Sequence, residues 1–582
     1  MNLTITPTLR LSLTVLLFGL SQQNAFAESA GQQLDSLLNE HWQQANKEQI
    51  FFRKDPDTFR MNGKLPDVSA AGRERREQFN LQMLKRLEGI NERELSEADK
   101  VTLRLFRYER QTEAQSYKQF DHLFPMQAYA GYHSYFAAAP DNMSFLTQAD
   151  YDNYLISLAD FPRYNQQHMD NLKQAIAKGY THYCESFKSY DKTISQHIVD
   201  NVSDSVFYAP LSRQPAQFSP QQQRFYTEQG SKLIKDTVIP EYKKLYQFFT
   251  QQYMPACRKQ VGIAQLEDGA AYYQYLINFY TTTSMTPEQI HQLGLNEVKR
   301  IRSEMDTIIK QVGFDGSFAE FVSFLRTDPQ FYARSGQQLM EKAAFITRKM
   351  AGQLPKWFNT LPRNTFDIKA SPSGGAYYVA SDGSGTTSGT YFIGANDVRS
   401  EPLYNLEALT FHEAEPGHHL QSALAQEMDI PEFRKTLYHS AYGEGWGLYA
   451  ESLGKEMGFY QDPYSDFGRL TYEAWRACRL VVDTGMHARG WSRQQAIDYL
   501  AANTALTMVE VEAQIDRYIT WPAQALSYKI GEIKIRQLRT QAEQQLGDKF
   551  DIRAFHDQVL KNGSLPLDLL EQLTLEWINT QK

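Results

Sequence analysis

Apolar residues recur at helical spacing along most of this 582-residue chain. Between residues 29 and 366, Leu34, Leu37 and Leu38 follow the three-to-four-residue period, and so does the stretch Leu81–Leu87. Proline and glycine occur mainly between such stretches, where helices are expected to end. The pattern predicts a mainly α fold, large enough to hold a deep cleft between helical halves.

The periodicity changes at Asp367. Glycine becomes frequent, and the segments Ala376–Ala380 and Thr390–Gly394 have the composition of strands. We therefore predict a small β-hairpin or two-stranded sheet with a flexible tip. It is either a surface hairpin or an edge strand that lines a cleft, where an extended peptide can add main-chain hydrogen bonds.

The N-terminal segment 1–27 is predicted to be a secretory signal peptide. Arg10 precedes the apolar run Leu11–Leu20, and a small residue on either side of Phe26 provides a cleavage site after Ala27. The run is too short to span a membrane, and no cysteine follows it, so we expect no membrane or lipid anchor after cleavage. The mature protein is predicted to be periplasmic or secreted.

By composition, the mature chain divides into an N-terminal helical region, 28–366, and a region with the candidate site, 367–582; we expect one compact body. The net charge is −8 with no long basic run, which argues against nucleic acid as a partner. Three cysteines allow at most one internal disulfide. Aromatic residues are concentrated in Tyr272–Tyr280, which indicates core packing or, alternatively, a substrate-binding wall. The sequence does not determine the oligomeric state.

The strongest functional motif begins with the adjacent residues His412 and Glu413. In zincins such an imidazole binds zinc, and the neighbouring carboxylate holds and deprotonates a water molecule. The second histidine usually follows at i+4, where this chain has Pro416. A helix broken or bulged by the proline–glycine pair would bring His418 to the ligand position, which is the arrangement we prefer. The alternative, His419, lies two turns or roughly 10 Å along an unbroken helix, a long separation for two ligands of one ion.

Glu444 is the predicted third ligand. It lies at the head of a later helical segment, next to glycines that allow a close helix approach, and Glu451 follows two turns later, where it could orient a histidine ligand. The predicted site is therefore one Zn²⁺ per chain on His412, His418 and Glu444. The alternative is a solvated helix end without a metal.

These motifs resemble the bacterial domain-of-unknown-function family 885 (DUF885). The resemblance is strongest over residues 370–540 and rests on four segments: 412–421, 444–451, 483–499 and 517–536. That family looks related to the gluzincin metallopeptidases, which include thimet oligopeptidase and angiotensin-converting enzyme. The resemblance implies a zincin-like helical peptidase without identifying its substrate, and the Pro-Gly-His-His sequence departs from the usual zincin spacing.

The resemblance also directs attention to a late helical segment, because angiotensin-converting enzyme uses a comparable helix to supply Tyr and Lys groups. Tyr518 and Tyr528 are candidate oxyanion donors, and Arg517 and Lys529 are candidate receivers of a peptide's terminal carboxylate. His487 is a further candidate for substrate binding. For each of these residues the alternative is a purely structural role in packing, at a helix end or on a solvated face.

The predicted function is zinc-dependent hydrolysis of peptide bonds in exported space, on a peptide or small peptide-like substrate. Glu413 would activate a zinc-bound water and return its proton to the leaving amine. One alternative is a zinc esterase or amidase that acts on a non-peptide substrate. Another is a non-catalytic exported binding protein or chaperone, which would have no need of the Glu413 carboxylate.

Overall fold

The computed structural model describes residues 28–48 and 63–582, except 144, 373, 374, 382 and 384–386. The signal-peptide prediction and part of the predicted hairpin tip fall outside these residues. The fold is mainly α, as predicted. The helices before the sheet are α1 (Ala30–Glu48), α2 (Ala70–Leu87), α3 (Glu97–Ser116), α4 (Tyr132–Asn142), α5 (Gln148–Lys178), α6 (Asp191–Ser195), α7 (Ala209–Ser212), α8 (Pro220–Leu233), α9 (Ile239–Phe248), α10 (Gly269–Thr281), α11 (Pro287–Gln311), α12 (Phe318–Thr327) and α13 (Gly336–Ala351). Those after it are α14 (Leu406–Glu413), α15 (His418–Glu427), α16 (Glu432–Lys435), α17 (Ser440–Glu456), α18 (Pro463–Arg489), α19 (Arg493–Asn503), α20 (Met508–Thr520), α21 (Ser527–Leu546), α22 (Ile552–Leu560) and α23 (Leu567–Gln581).

Local sequence signals explain where many helices begin. At five N-termini of the described helices, the hydroxyl of the Ser or Thr N-cap residue accepts a hydrogen bond from the backbone N–H of the third helical residue. The side chain of that third residue accepts one in return from the backbone N–H of the N-cap residue. These capping boxes begin at Thr147, Ser219, Thr286, Ser317 and Ser492. Two π-helical turns, Ile234–Val238 and Phe249–Tyr253, flank α9.

A three-stranded sheet precedes α14. Its strands are β3 (Phe366–Ala370), β4 (Tyr377–Val379) and β5 (Gly389–Ile393), in the order β3-β5-β4. The predicted hairpin is confirmed as the antiparallel pair β4–β5, but the parallel strand β3 was missed. Its sequence, Phe-Asp-Ile-Lys-Ala, does alternate apolar and polar residues, but the strand prediction covered only Ala376–Ala380 and Thr390–Gly394. A separate two-stranded ribbon joins β1 (Met126–Gln127) to β2 (Ala130–Gly131).

Two main hydrophobic clusters form the interior. The larger extends from α1 to α23 and includes α10–α13, so the predicted boundary at residue 366 does not separate two cores. The smaller lies within residues 65–253 and is rich in aromatic side chains such as Tyr154 and Tyr242. A disulfide joins Cys184 to Cys257, and Cys478 is free and buried. None of the described helices combines the length and apolar character needed to cross a bilayer.

Helices α17 and α21 cross very closely beneath the candidate site. A Cβ atom added to Gly531 would lie 1.8 Å from the carbonyl oxygen of Ala441, and one added to Gly445 would lie 2.5 Å from the backbone of Gly531. Only glycine allows this separation. The contact places Tyr528, at the start of α21, beside the head of α17, where Glu444 lies.

Candidate metal centre

A break between two helices shapes the centre. Helix α14 ends at Glu413 and α15 begins at His418, so the predicted break at the proline–glycine pair is confirmed. The carbonyl oxygen of Pro416 accepts from Trp446 Nε1 at 2.8 Å, which ties the connection to α17. A Cβ on Gly417 would lie 2.0 Å from the carbonyl oxygen of His412, so the reversal requires glycine there.

The break brings together three potential ligands from two parts of the chain. The donor atoms of His412, His418 and Glu444 all lie within 4.8 Å of one another. Glu444 Oε2 is 3.4 Å from Nε2 of each histidine. Ligands about 2.1 Å from a tetrahedral zinc ion are roughly 3.4 Å apart. The trio therefore has the donor types and two of the spacings that a zinc ion requires.

His419 does not join this group. Its Nδ1 lies 2.9 Å from the hydroxyl oxygen of Tyr378 on β4, and its ring packs against Phe366 at 4.5 Å between centroids. Because α15 begins at His418, successive side chains of this helix point in different directions. Of the two histidines considered from the sequence, only His418 faces Glu444.

Glu451 holds His412 in position, as predicted. Its Oε1 lies 2.8 Å from Nδ1 of His412 and 3.4 Å from Nη2 of Arg476. Burial opposes ionisation of His412, but hydrogen bonds to Glu444 and Glu451 outweigh it and raise the pKa of His412 to about 10. Despite its burial, Glu444 has a pKa well below its usual range, since it accepts from His412 and His418. The carboxylates of Glu444 and Glu451 thus favour a positive charge at this position.

Glu413 faces the same cavity, which has a volume of about 520 Å³. Its side chain is buried, and its carboxylate makes no hydrogen bond to any described residue. Burial raises the pKa of this carboxyl group, although His412 and His418 oppose the effect. Glu413 is thus placed beside the trio with its proton-accepting oxygens uncommitted.

Two tyrosines flank the trio. The ring of Tyr528 stacks over that of His412 at 6.3 Å, and its hydroxyl oxygen accepts from Arg517 Nη2 at 3.3 Å. Tyr528 and Arg517 both line the cavity, as the oxyanion and carboxylate assignments required. The hydroxyl of Tyr438 donates to Glu444 Oε1 at 3.0 Å. Tyr438 was missed because it lies in the connection before α17, outside any helical pattern.

Three of the sequence-based candidates lie away from this cavity. The hydroxyl of Tyr518 accepts from Trp475 and Arg479 within the core. The ring nitrogens of His487 lie 3.2 Å from the backbone nitrogen of Ile263 and 2.9 Å from the carbonyl oxygen of Tyr518. These two side chains are fixed by neighbouring helices, so a direct catalytic or substrate-binding role does not match their positions.

Lys529 is the third. Its ammonium lies in a buried ionic cluster, at 2.8 Å from Glu473, 2.9 Å from Glu532 and 3.1 Å from Glu297. These three carboxylates neutralise its charge, and Lys529 does not line the cavity. Its position corrects the expectation that it receives a substrate carboxylate.

Sequence reasoning missed two arginines on α18. Arg476 and Arg479 line the cavity and are both buried. Arg476 is the next residue after Trp475, and Arg479 lies one turn further along. Almost all side chains of this helix are buried. The available signal was the presence of charged residues in such a long, buried helix. Because arginine is rarely buried without a partner, such residues indicate a polar site inside the protein.

Strand β4 forms one wall. Within the described residues it pairs only with β5, so it is an edge strand, and Gly375, Tyr377, Tyr378 and Ala380 line the cavity. Of the two interpretations of the hairpin, this placement matches the edge strand beside a cleft.

Comparison with known proteins gives a family and two similar structures. The crystal structure of a putative lipoprotein from Colwellia psychrerythraea has a TM-score of 0.88 and 27% sequence identity, with 95% of this chain and 100% of that chain covered. The structure of a putative lipoprotein of unknown function from Shewanella oneidensis has a TM-score of 0.69 and 18% sequence identity. The match covers 94% of this chain and 100% of that chain, and it shows a shared fold. No curated protein matches the sequence.

A family model for bacterial proteins of unknown function matches residues 52–573, nearly the whole chain. The match includes both parts of the candidate metal centre, the His412–His418 segment and Glu444. The chain therefore belongs to the DUF885 family of bacterial proteins.

Proposed function

We propose that this protein is an exported zinc-dependent hydrolase of peptide bonds, similar in its site to gluzincin peptidases. The observation that carries the proposal is the trio of His412, His418 and Glu444, whose donor atoms lie within 4.8 Å, with Glu413 in the same cavity. A zinc ion on these ligands would supply a Lewis acid that lowers the pKa of water towards about 7 and polarises a carbonyl.

The remaining chemistry belongs to the side chains. Glu413 accepts a proton from the attacking water and returns it to the leaving amine. Its carboxylate suits this role, because its oxygens have lone pairs free to accept a proton from water. The hydroxyl of Tyr528 donates a hydrogen bond to the oxyanion, and the charge of Arg517 beside it favours that donation.

The exposed edge of β4 supports a peptide over a non-peptide substrate. An extended peptide can continue the sheet along this edge, with its main chain beside the trio. Esters and small amides have no main chain to use this edge. Export is proposed from the signal-peptide pattern, and both similar structures are described as putative lipoproteins, a class of exported proteins.

The test compares Glu413→Gln with Glu415→Gln in the mature chain. Glu415 lies in the same connection but does not line the cavity, so its variant is the matched control. We expect each protein to bind about one zinc per chain. Glu413→Gln should lower kcat for a panel of quenched fluorescent peptides by about 10²–10⁴-fold, while Glu415→Gln should not.

Three results separate the alternatives. Full peptide hydrolysis by Glu413→Gln with zinc bound would refute the mechanism. Hydrolysis of esters or non-peptide amides, but of no peptide, would favour an esterase or amidase. Failure of the wild-type protein to bind zinc at all would favour a non-catalytic binding protein.

A further inference from the structure

Arg479 presents an unusual buried charge at the wall of the cavity. Only 1% of its surface is exposed, and its Nε donates to the hydroxyl of Tyr518 at 2.8 Å. Its Nη1 is buried and has no hydrogen-bond partner among the described residues. Leaving a charged donor buried and unpaired is costly, so this group calls for a partner from the solvent or from a ligand.

The surroundings of Arg479 supply aromatic faces but no counter-ion. Its guanidinium carbon lies 4.4 Å from the ring centroid of Trp475 and 4.2 Å from that of Tyr528. These rings hold the guanidinium plane in a fixed orientation and give partial compensation through cation–π attraction. No carboxylate oxygen of the described residues lies within 4.0 Å of its nitrogens. The guanidinium of Arg479 is therefore held in one orientation, while its Nη1 group donates no hydrogen bond to a described residue.

Arg517 adds a second cation, at the hydroxyl of Tyr528. Its partners are neutral: Gln524 Oε1 at 2.7 Å, the Tyr528 hydroxyl at 3.3 Å and Gln514 Oε1 at 3.5 Å. It too has no carboxylate oxygen within 4.0 Å in the described part of the chain. Arg476, in contrast, is paired with Glu451, the carboxylate that contacts His412.

The carboxyl groups nearest this wall do not neutralise the two arginines fully. Burial raises the pKa of Glu510 to about 7, although Arg476 and Arg479 oppose the effect. Burial also raises the pKa of Glu401 well above its usual range. Neither Glu510 nor Glu401 has an oxygen within 4.0 Å of a nitrogen of Arg479 or Arg517, so neither forms an ion pair with these arginines.

We propose that Arg479 and Arg517 form a carboxylate-binding subsite, which selects substrates with a free C-terminus or an acidic side chain close to the bond that is cleaved. Guanidinium groups bind carboxylates through paired, charge-assisted hydrogen bonds. One aromatic ring, Tyr528, separates Arg479 from His412, with spacings of 4.2 Å and 6.3 Å. An extended peptide advances about 3.3–3.6 Å per residue, so the carboxylate lies one to three residues beyond that bond. This inference rests on the proposed hydrolytic function for its place in catalysis, but the subsite can be tested by binding alone.

The experiment uses three matched peptides. Acetyl-Ala-Phe-Ala with a free C-terminus carries a terminal carboxylate, its amide carries none, and acetyl-Ala-Phe-Asp amide carries one on a side chain. Kd values are measured by calorimetry on the full mature chain, with zinc and after treatment with a chelator, because a metal ion can itself bind a carboxylate. For the zinc-loaded protein, kcat/KM is measured with the same peptides extended at the N-terminus.

The variants are Arg517→Gln, Arg479→Lys and the control Arg553→Gln. Arg517 is half-buried, so its loss leaves the core packed; Arg479→Lys keeps the charge but removes the planar fork. Arg553 is paired with Asp551 on the surface, away from the cavity. Circular dichroism and thermal melting are used to check that each variant folds.

We expect the wild-type protein to bind at least one carboxylate peptide about tenfold or more tightly than the neutral amide, with or without zinc. Arg517→Gln and Arg479→Lys should each reduce that preference by about tenfold, and Arg553→Gln should leave it unchanged. Preference for the free C-terminus would identify the terminal carboxylate as the ligand; preference for the aspartate peptide would identify an acidic side chain.

Equal affinity for all three peptides in the wild-type protein, or a preference that survives in Arg517→Gln, would overturn the subsite. Peptide hydrolysis without carboxylate preference would leave the proposed function standing. Carboxylate-selective binding without hydrolysis of any peptide would remove the proposed function and keep the subsite.

Discussion

Nδ1 of His412 and Oε1 of Glu451 lie 2.8 Å apart, and both side chains are almost fully buried. The contact joins α14 to α17 and fixes which nitrogen of His412 faces Glu444. A carboxylate in this position also makes the imidazole a stronger ligand. The packing of α17 against α14 therefore determines the orientation of the His412 ring in the candidate metal centre.

Glu451→Gln should therefore weaken zinc binding by about 10–100-fold without preventing folding, because the amide keeps the shape but not the charge of the carboxylate. The measurement is competition with a chromophoric zinc chelator. Glu456→Gln is the matched control, since this residue lies on the same helix and pairs with Arg539 at its surface. Equal zinc affinity in both variants would contradict the orienting role of Glu451.

The two neighbouring histidines should respond differently to alanine. His418→Ala removes a donor atom of the trio and should abolish stoichiometric zinc binding, as measured by elemental analysis of the purified protein. His419→Ala should retain zinc but lower the melting temperature, since it leaves a cavity against Phe366 and removes the partner of Tyr378. The reverse pattern would mean that His419 is the second ligand.

The sequence predicted which residues form the trio better than it predicted the shape of the cavity around them. His412, Glu413 and Glu444 are recognisable because local spacing and the helical period determine which residues share a face. The choice of His418 over His419 needed the position where α15 begins, which depends on the Pro416 connection and its contact with Trp446.

The remaining errors involve contacts between distant segments. Lys529 and Arg479 are both cations on helices, and nothing local to either residue shows that the first meets three carboxylates and the second none. The parallel pairing of β3 with β5 was missed for the same reason, because β4 lies between these two strands along the chain. Helical periodicity identifies a buried face but not the residues that pack against it.

Lys529→Met should destabilise the protein by about 3–5 kcal/mol, because it leaves buried glutamates without their shared cation. Zinc content and the KM for peptides should not change, in contrast to the substrate-binding role expected from the sequence. Lys534→Met provides the comparison, since Lys534 forms a single, less buried pair with Glu571. The stability is measured by urea unfolding. A rise in KM at unchanged stability would instead support the substrate-binding role of Lys529 that was predicted from the sequence.

The close crossing of α17 and α21 should be intolerant of a single methyl group. Gly531→Ala places Cβ 1.8 Å from the carbonyl oxygen of Ala441, so the helices must separate, at a cost of about 1–3 kcal/mol in the free energy of unfolding. The same shift moves Tyr528 away from His412, and kcat should fall with stability. Gly352→Ala is the control, because its Cβ approaches no atom more closely than 3.4 Å. A fully stable and active Gly531→Ala protein would show that the crossing can widen freely.

A buried carboxyl group on α18 should give the fold a distinct pH dependence. Asp483 accepts from the Tyr273 hydroxyl and from the backbone N–H of Ala523, and burial raises its pKa from 3.8 to about 7 despite these bonds. The folded state therefore binds a proton more tightly than the unfolded state. Its contribution to stability is fully present below about pH 4 and is lost as pH rises through about 7.

Asp483→Asn should remove this share of the pH dependence, because the amide oxygen can accept the same two hydrogen bonds and has no proton to lose. From pH 5 to pH 8, the wild-type free energy of unfolding should fall by a few kcal/mol more than that of the variant, on the order of 1.4 kcal/mol per unit of pKa difference. Glu415 and Glu510, whose pKa values are also raised to about 7, remain in both proteins, so only the difference between the two curves reports Asp483. Parallel curves would mean that Asp483 is ionised throughout and that Tyr273 and Ala523 stabilise its charge.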